Sequence, residues 1–327
     1  MRAITFPRYG DHSQLNITDD VIRPVPAADE VLIRVAAAPL NRGDWHYVHG
    51  TPFPVRLMAG GLFTPKKNIH GGGVVGRVEM TGAAVETFKV GDRVLADMSE
   101  SGFGGWAEYC TCKAVHTAHC DESLSDEIAA TIPVAALTAL QGLRDHACLQ
   151  PGESLLVKGA TGGVGMFAVL IGIALGAEVT AVGSSAKANW LSQLGAAHTL
   201  HHDQTDILSL AQQFDVIFDA AAYQDAFSMK PLLKTDGRYL LVGGRFRQFL
   251  KVALFGAMQS GSERHVFKSF LQKPVPEDME LIAGWIAQGT LQCPPPAVLK
   301  LEQASEAMAM MERRDVTGKL VLSVLPS

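Results

Sequence analysis

The sequence predicts an α/β protein that joins a strand-rich part to a doubly wound parallel sheet. Residues 1–123 consist of short strand-like runs separated by proline and glycine, as in an all-β unit of barrel type. Residues 124–262 instead alternate apolar strands with helices, and this alternation is typical of a parallel sheet. The strands predicted in this second part are 154–157, 179–182, 214–219 and 238–242.

The N-terminal part contains a clear strand and a long connection. Residues 31–35 form an apolar strand pattern. Residues 51–73 carry three prolines and several glycines, which predicts a long loop near a site. The second part then opens with a helix, because Ser125 is a good N-cap and Asp126 and Glu127 place acids in the first turn.

The last part of the chain, residues 263–327, returns to a mixed pattern. Helices are predicted at 278–288 and 302–312, and a closing strand at 319–324. The pattern alone does not say which part of the protein this segment joins.

Composition limits the possible partners. The net charge is 28 − 33 = −5, so neither nucleic acid nor an anionic membrane is an expected partner. The longest apolar run, residues 166–177, is too short to cross a bilayer and fits a buried helix. The N-terminus has no signal-peptide pattern, so we expect a cytoplasmic protein without a membrane span.

A glycine-rich turn between a strand and a helix predicts a dinucleotide site. Residues 155–157 form the strand, 159–165 the turn, 166–176 the helix and 178–182 the next strand. Backbone N–H groups at such a helix N-terminus suit a pyrophosphate, and glycine permits its close approach. Alanine stands in place of the first glycine of the usual fingerprint. The candidate cofactor-binding residues here are Ala160, Thr161, Gly162, Gly163, Val164 and Gly165.

The residues after the second strand indicate which dinucleotide binds. NAD-binding units usually carry an acid about 20 residues beyond the turn. Ser184, Ser185 and Lys187 occupy this region without an acid, so we predict that they hold the 2′-phosphate of NADPH. The alternative is that Lys187 is an ordinary solvated lysine at the start of a helix.

The cysteines do not form a recognisable framework. They are Cys110, Cys112, Cys120, Cys148 and Cys293, an odd count that argues against structural disulfides. Cys112, His116, His119 and Cys120 are zinc-type ligands, but their spacing matches no common zinc site. We interpret them as structural residues and predict no metal.

Several segments together resemble the medium-chain dehydrogenases/reductases, on the zinc-free quinone oxidoreductase and enone reductase branch. The segments are Asn-Arg-Gly-Asp-Trp at 41–45, Phe-Lys-Val-Gly-Asp-Arg-Val at 88–94, Gly-Gly-Trp-Ala-Glu-Tyr at 104–109, Ile-Pro-Val-Ala-Ala-Leu-Thr-Ala at 132–139, the glycine turn, Leu-Gly-Ala at 194–196 and Gly-Lys-Leu-Val-Leu at 318–322. They run along nearly the whole chain in the order found in the family.

The resemblance implies both an architecture and an activity. It implies a GroES-like catalytic domain built from residues 1–123 and 263–327, around a Rossmann domain at 124–262. The implied activity is the NADPH-dependent, zinc-independent reduction of quinones or of the C=C bond of α,β-unsaturated carbonyl compounds, and we expect a homodimer. The alternatives are an alcohol or aldehyde dehydrogenase of the same superfamily, or a low-turnover NADPH-binding sensor or interaction protein.

This chain departs from the zinc-dependent relatives at their ligand positions. Those relatives have a cysteine where this chain has Asn41, and Gly-His-Glu where it has Gly71, Gly72 and Gly73. A catalytic zinc needs about three protein ligands. Without one, a conjugated acceptor is the better substrate because it disperses the charge left by the hydride.

The resemblance also places catalytic candidates near the nicotinamide. Asn41 is expected to donate a hydrogen bond there, although it is also a plausible turn cap. Asp44 is expected to orient the loop. His46 is the candidate acid, with an exposed loop histidine as the alternative.

Further residues are predicted to contact the cofactor. Thr138 matches the position that relatives place against the nicotinamide ribose, although its hydroxyl alternatively bonds its own helix. His202 stands where relatives often have a tyrosine near the 2′-phosphate. Gly243 and Gly244 end the last predicted strand of the sheet, where backbone can approach the nicotinamide. Arg245 and Arg247 follow these glycines. Either they contact the substrate or the phosphate, or they are solvated surface residues.

Overall fold

The computed structural model describes residues 1–58, 60–259 and 263–324, which divide into two compact units. Unit 1 takes the described residues of Met1–Val134, Pro274–Gln288 and Pro295–Ser327, and unit 2 those of Ala135–Lys273 and Gly289–Pro294. Both ends of the chain therefore contribute to unit 1.

The regular elements are numbered in chain order. The strands are β1 Ala3–Thr5, β2 Asn16–Thr18, β3 Glu30–Leu40, β4 Gly73–Thr81, β5 Arg93–Asp97, β6 Tyr109–Lys113, β7 Thr117–His119, β8 Ser154–Lys158, β9 Glu178–Gly183, β10 His198–His201, β11 Phe214–Asp219, β12 Leu233–Leu241, β13 Val266–Ser269, β14 Ala297–Lys300 and β15 Leu320–Ser323. The α-helices are α1 Arg42–His49, α2 Pro54–Met58, α3 Asp126–Ala129, α4 Leu137–Gln141, α5 Gly163–Ala174, α6 Ala188–Ser192, α7 Phe246–Phe255, α8 Pro276–Ala287 and α9 Ala304–Arg313. Short 3-10 turns cover His12–Gln14, Ala114–His116, Ser185–Lys187, Ile207–Ser209, Ala226–Leu232, Gly256–Gln259 and Leu301–Gln303, and a π-type segment covers Gly142–His146. The segment Ile132–Ala136 is kinked, because Pro133 and Val134 have non-helical dihedral angles.

Unit 2 contains the predicted parallel sheet. Its strand order is β10-β9-β8-β11-β12-β13, and every neighbouring pair is parallel. The chain winds from β8 to one edge and then from β11 to the other, which is the doubly wound arrangement. The four predicted strands are present: β11 has the predicted bounds, β8 and β9 differ from them by one residue at one or both ends, and β12 begins five residues earlier and ends one residue earlier than predicted. Strand β10 and strand β13 were not predicted.

Strand β13 also affects where the second unit ends. The sequence placed the boundaries after residues 123 and 262, whereas the compact units divide after Val134 and Lys273. The second boundary lies later because β13 pairs in parallel with β12 and completes the sheet. The first lies later because α3, predicted from its Ser125 cap, belongs to unit 1.

Unit 1 is organised around the long strand β3. A seven-stranded sheet has the order β14-β15-β3-β4-β5-β7, with β6 also paired to β3. The C-terminal strand β15 lies antiparallel to β3, with Leu320 opposite Leu40. Residues near positions 41 and 319 are therefore neighbours, although almost the whole sequence separates them.

The predicted loop at 51–73 is partly regular. It contains helix α2, and Gly73 already begins strand β4. The two C-terminal helices are present as α8 and α9, although the first turn predicted for the second, Leu301–Gln303, is a 3-10 turn.

Helix α5 shows why the sequence pattern of unit 2 predicts its fold. Its sequence from Met166 to Ile171 is apolar on all sides, and these six residues are all buried. A helix of this kind must be covered on every face, which a doubly wound sheet with neighbouring helices provides. Within the described residues, no helix is long and apolar enough to cross a membrane.

Candidate functional site

The glycine turn of unit 2 presents unpaired backbone donors. Strand β8 ends at Lys158, and α5 begins at Gly163 with Gly162 as its N-cap residue. The first hydrogen bond along the helix is donated by Met166 N–H to Gly162 O at 2.8 Å. The N–H groups of Gly163, Val164 and Gly165 therefore lie in the first turn, where helix geometry supplies no acceptor. Such a turn suits an anionic group.

Gly162 and Gly165 of this turn differ in whether the protein itself has room for a side chain. A Cβ on Gly165 would stand 2.1 Å from Gly159 O, so the packing of the helix on the strand excludes any side chain. A Cβ on Gly162 would meet only Gly159 O at 3.5 Å, an ordinary contact. Gly162 is exposed and its φ of −95° suits any residue. The protein itself does not require glycine at 162, whereas a ligand approaching the backbone would.

Gly243 and Gly244 lie just beyond the carboxyl end of β12, as predicted. A Cβ on Gly243 would stand 2.6 Å from Ala220 O, and one on Gly244 would stand 2.6 Å from the backbone of Ala222. Gly244 also has a φ of +129°. The protein's own backbone requires both glycines, so their identity is no indication of a ligand.

A buried polar group holds the segment that these glycines touch. The carboxylate of Asp219 accepts hydrogen bonds from Lys158 Nζ at 2.7 Å, the Tyr239 hydroxyl at 2.8 Å and Ala221 N–H at 3.0 Å. Burial, and secondarily the Asp219 carboxylate, raise the pKa of Tyr239 well above its ordinary value, so its hydroxyl stays a donor. This network fixes residues 220–222 at the carboxyl edge of the sheet.

One of the predicted 2′-phosphate residues, Ser185, is bonded to a carboxylate that the sequence analysis missed. Ser185 donates to Asp203 through its backbone N–H at 2.9 Å and its hydroxyl at 2.5 Å. The Ser184 hydroxyl accepts from Ala186 N–H at 3.3 Å. Lys187 is half-buried at the end of the 3-10 turn. An acid therefore lies in this region, but it comes from the end of β10 rather than β9.

His202 precedes this carboxylate and belongs to the same corner. Its N–H donates to Gly183 O at 3.0 Å, which ties the end of β10 to the end of β9. Its side chain is exposed. Hydrogen bonding to Ser185 lowers the pKa of Asp203, so this corner carries a negative charge near neutral pH.

Two of the three catalytic candidates, Asn41 and Asp44, lie in a buried polar cluster of unit 1, defined here as Asn41, Asp44, His70 and Lys319. Asn41 precedes α1 as its N-cap residue, and its backbone N–H donates to Asp44 Oδ2 at 2.5 Å. Asp44 Oδ1 lies 2.8 Å from His70 Nε2. Lys319 Nζ donates to Asn41 Oδ1 at 2.5 Å and to Leu40 O at 3.1 Å. All four residues are buried.

The amide nitrogen of Asn41 is left without a protein partner. Asn41 Nδ2 is buried and makes no hydrogen bond within the described protein. A buried donor left unsatisfied costs about 1–3 kcal/mol, so it requires an explanation. A Cβ on Gly72 would stand 3.3 Å from Asp44 Oδ1 and 3.9 Å from Asn41 Nδ2. The glycine at 72 thus leaves free the space beside this donor.

Backbone strain lies next to the same space. Val134 has a φ of +68°, which is rare for a β-branched residue. Its Cγ2 would be 3.7 Å from a Cβ on Gly72. Conformations of this kind cost about 1–3 kcal/mol and are concentrated at functional sites.

His46 is less suited to act as an acid than the sequence suggested. Its Nδ1 lies 2.7 Å from Thr51 O, and because a carbonyl only accepts, Nδ1 carries the proton. Burial lowers the pKa of His46, and the bond to Thr51 only partly opposes this. The neutral ring then presents Nε2 as an acceptor and has no second proton to give.

The remaining candidates are placed as follows. Thr138 is half-buried on α4, the helix in which it was predicted. Arg245 and Arg247 are exposed at the start of α7. Cys112 and Cys120 are buried free thiols, and burial raises the pKa of each to about 11, which disfavours thiolate ligands.

Two family models match this chain. Residues 27–122 match the family model described as alcohol dehydrogenase GroES-like domain, and residues 194–322 match the one described as zinc-binding dehydrogenase. The quinone oxidoreductase of Homo sapiens is 31% identical over 75% of this chain and 74% of its own length. The chain belongs to the quinone oxidoreductase-like medium-chain dehydrogenases/reductases.

Two further comparisons agree with this family. The solved structure of the quinone oxidoreductase from Coxiella burnetii is 25% identical, has a TM-score of 0.89 and aligns over 99% of both chains. The polyketide synthase GfsB of Streptomyces halstedii is 32% identical over 89% of this chain, which matches only 5% of the length of that protein. The GroES-like and Rossmann domains predicted from the sequence are confirmed as a fold.

The family fold implies a nicotinamide cofactor, and the glycine turn fits one. Three backbone donors lie at the N-terminus of α5, and the open position at Gly162 leaves room for a pyrophosphate to approach. Both features belong to the turn that the family uses for this purpose.

The zinc named in one family description does not fit the residues of this chain. Asn41 stands where zinc-dependent relatives have a cysteine, and its Oδ1 already accepts from the Lys319 ammonium. A cation bonded to this oxygen opposes a second cation there. Gly72 offers no side chain. Among the described residues, no group of three or more His, Cys, Asp or Glu side chains is placed to hold a metal ion.

Three residues of these two sites were missed by the sequence analysis. Lys319 stood within a recognised family segment but was not assigned a role. His70 and Asp203 were assigned no role either. Each lies far along the chain from its partner, so no local pattern connects them.

Proposed function

We propose that this protein reduces quinones or the C=C bond of α,β-unsaturated carbonyl compounds with NADPH, without a catalytic zinc. The observation that carries the proposal is the pairing of Lys319 with Asn41 beside Gly72. Where zinc-dependent relatives have metal ligands, this chain has a neutral amide held by an ammonium. Such a site can donate a hydrogen bond to an oxygen but lacks ligands for a Lewis acid.

The substrate class follows from how much charge the site must stabilise. Reduction of an isolated carbonyl concentrates a full negative charge on one oxygen. In an enone or a quinone, conjugation spreads that charge, so one or two hydrogen-bond donors suffice. Asn41 Nδ2 is a buried donor without a hydrogen-bond partner among the residues that the structure describes, so it is free to take this role.

The residues of unit 2 would hold the cofactor, which supplies the hydride. The turn at 159–165 would bind the pyrophosphate through backbone N–H groups. Lys187 and the Ser184 hydroxyl would contact the 2′-phosphate, and His202 would lie at the edge of that group. Asp203 opposes this phosphate electrostatically, so the preference for NADPH over NADH is expected to be limited.

Proton supply is assigned to solvent. The only proton of neutral His46 is bonded to Thr51 O, and burial lowers the pKa of this histidine. Asp44 is occupied by Asn41 N–H and His70. Asp44 is therefore assigned to orient the loop, in agreement with the sequence analysis. The cytoplasmic location and the homodimer both stay predictions. Light scattering on the purified protein tests the second of them.

The test is an acceptor screen with purified protein, following oxidation of NADPH and of NADH. We expect turnover with quinones and conjugated enones or enals, none with saturated aldehydes, and full activity in the presence of a chelator. Fastest turnover of saturated aldehydes, or loss of activity with one bound zinc per chain, would indicate an alcohol dehydrogenase. Cofactor binding without turnover of any acceptor would favour the sensor alternative.

A further inference from the structure

Lys319 is an unusual residue for its position. It directly precedes strand β15 and is buried, which is rare for lysine unless its charge is compensated. Its ammonium donates to the backbone oxygen of Leu40 and to Asn41 Oδ1. Both acceptors lie at the junction of β3 and α1, on the segment that carries the catalytic candidate.

This contact fixes the orientation of the Asn41 amide. An ammonium has donors only, so the atom that faces it must be the amide oxygen. The nitrogen is then forced to the other side, where Nδ2 is buried and has no hydrogen-bond partner in the described part of the chain. The space on this side is the one beside Gly72, which a side chain at that position would enter.

The charge of Lys319 has a second effect on this space. Asp44 Oδ1 would stand 3.3 Å from a Cβ on Gly72, so a carboxylate borders the same volume. On its own, this carboxylate would repel an oxygen that gains negative charge. The buried ammonium beyond Asn41 offsets that repulsion. The cluster is thus arranged for an oxygen acceptor.

We propose that Lys319 is a positioning residue that turns the Asn41 amide so that Nδ2 donates to the acceptor oxygen of the substrate. This inference rests on the proposed function and names the group that the site binds. As hydride adds to the β-carbon, the π electrons move to the carbonyl oxygen, which Nδ2 stabilises. A solvent proton then reaches the α-carbon, giving the saturated ketone and the oxidised cofactor.

A double-mutant cycle tests this role. Lys319→Met keeps the apolar stem and removes the ammonium, and Asn41→Ala removes the donor. Each is expected to lower kcat by about 100-fold, the lower end of the range for loss of a transition-state donor, with less effect on KM. In the Asn41→Ala background, Lys319→Met should lower kcat by less than about threefold, because the two residues act as a unit. An equal loss in both backgrounds would show a merely structural role and overturn the proposal.

Two conservative variants keep the test decisive if Lys319→Met does not fold. Lys319→Arg retains donors toward Asn41 Oδ1 and is expected to keep kcat within about tenfold of the wild type. Asn41→Asp keeps an oxygen for Lys319 but replaces the donor by a carboxylate, so we expect a folded protein with kcat lowered at least about 100-fold. Retention of kcat by folded Asn41→Asp would overturn the proposal.

Matched measurements separate this inference from the proposed function. Thermal unfolding and NADPH titration of each variant report folding and cofactor binding in the absence of turnover, and both should stay close to the wild type in Asn41→Asp. If wild-type protein reduces no quinone or enone, the proposed function fails. If the wild type is active and the cycle is additive, only the role of Lys319 fails.

Discussion

The two candidate sites of this protein are built from different groups. The glycine turn of unit 2 offers backbone N–H groups from consecutive residues, and side chains would only obstruct it. The polar cluster of unit 1 consists of four residues from three separate places in the sequence, linked by contacts of 2.5–2.8 Å. Mutations should therefore act on the first site through steric fit and on the second through charge and hydrogen bonding.

The largest expected effect is a steric one in the glycine turn. Gly165→Ala places a Cβ 2.1 Å from Gly159 O, so backbone must move. We expect it to destabilise the protein by about 1–3 kcal/mol and to abolish measurable NADPH binding. Chemical denaturation and titration calorimetry provide the two measurements.

Gly162→Ala is the matched control for this prediction, because the same Cβ makes only an ordinary 3.5 Å contact there. We expect stability within about 0.5 kcal/mol of the wild type. NADPH binding should nevertheless weaken at least about tenfold, since the methyl group would meet the ligand. Wild-type affinity in folded Gly162→Ala would contradict the assignment of the turn to the pyrophosphate.

A smaller, electrostatic effect is expected at the corner formed by Ser185, Lys187 and Asp203. Lys187→Ala should weaken NADPH binding by about 1–3 kcal/mol, the scale of a charged hydrogen bond, with little change for NADH. Asp203→Asn should act in the opposite direction and strengthen NADPH binding by about two- to fivefold, the range for an exposed charge. Calorimetric titration with both cofactors measures each effect.

Asp206→Asn is the control for the second variant. It removes the same charge three residues further on, where the carboxylate accepts from Leu208 N–H rather than from Ser185. If Asp203→Asn and Asp206→Asn change NADPH affinity equally, the effect comes from the net charge of the protein and not from the position of Asp203. Equal losses of NADPH and NADH in Lys187→Ala would refute the 2′-phosphate assignment.

The smallest expected effect is the pH dependence of stability near the polar cluster. Burial lowers the pKa of His46 in the folded protein, so between that pKa and the ordinary value of about 6.5 the unfolded chain binds more protons. The free energy of unfolding should therefore fall as the pH decreases below about 6.5. In denaturation experiments at a series of pH values, His46→Gln should make the free energy of unfolding less dependent on pH. An unchanged pH dependence in this variant would contradict the lowered pKa of His46.

The same contrast explains what could be predicted from the sequence. The glycine turn and strands β8, β9 and β11 were predicted because their signals are local runs of consecutive residues. The cluster of Asn41 and Lys319 was not, because β15 pairs with β3 across almost the whole chain. The return of the C-terminus to unit 1 was expected only from the family resemblance. The pattern of a strand does not indicate which other strand it pairs with.

Two further differences have the same physical origin. Asp203 reaches Ser185 because β10 pairs in parallel with β9, placing His201 opposite Gly183. Strand β13 extends the second unit to Lys273 through pairing with β12. Pairing between strands that are distant in sequence determines both the contact of Asp203 with Ser185 and the end of unit 2. No pattern in the local sequence indicates either pairing.

The position of the transferred hydride in the product shows most directly whether this protein reduces the C=C bond. NADPH deuterated at the transferred position is incubated with the protein and a simple cyclic enone, and the product is analysed by NMR. We expect a saturated ketone with deuterium at the β-carbon and a solvent proton at the α-carbon. Deuterium at the carbinol carbon of an allylic alcohol would contradict this expectation, because the protein would then reduce the carbonyl itself.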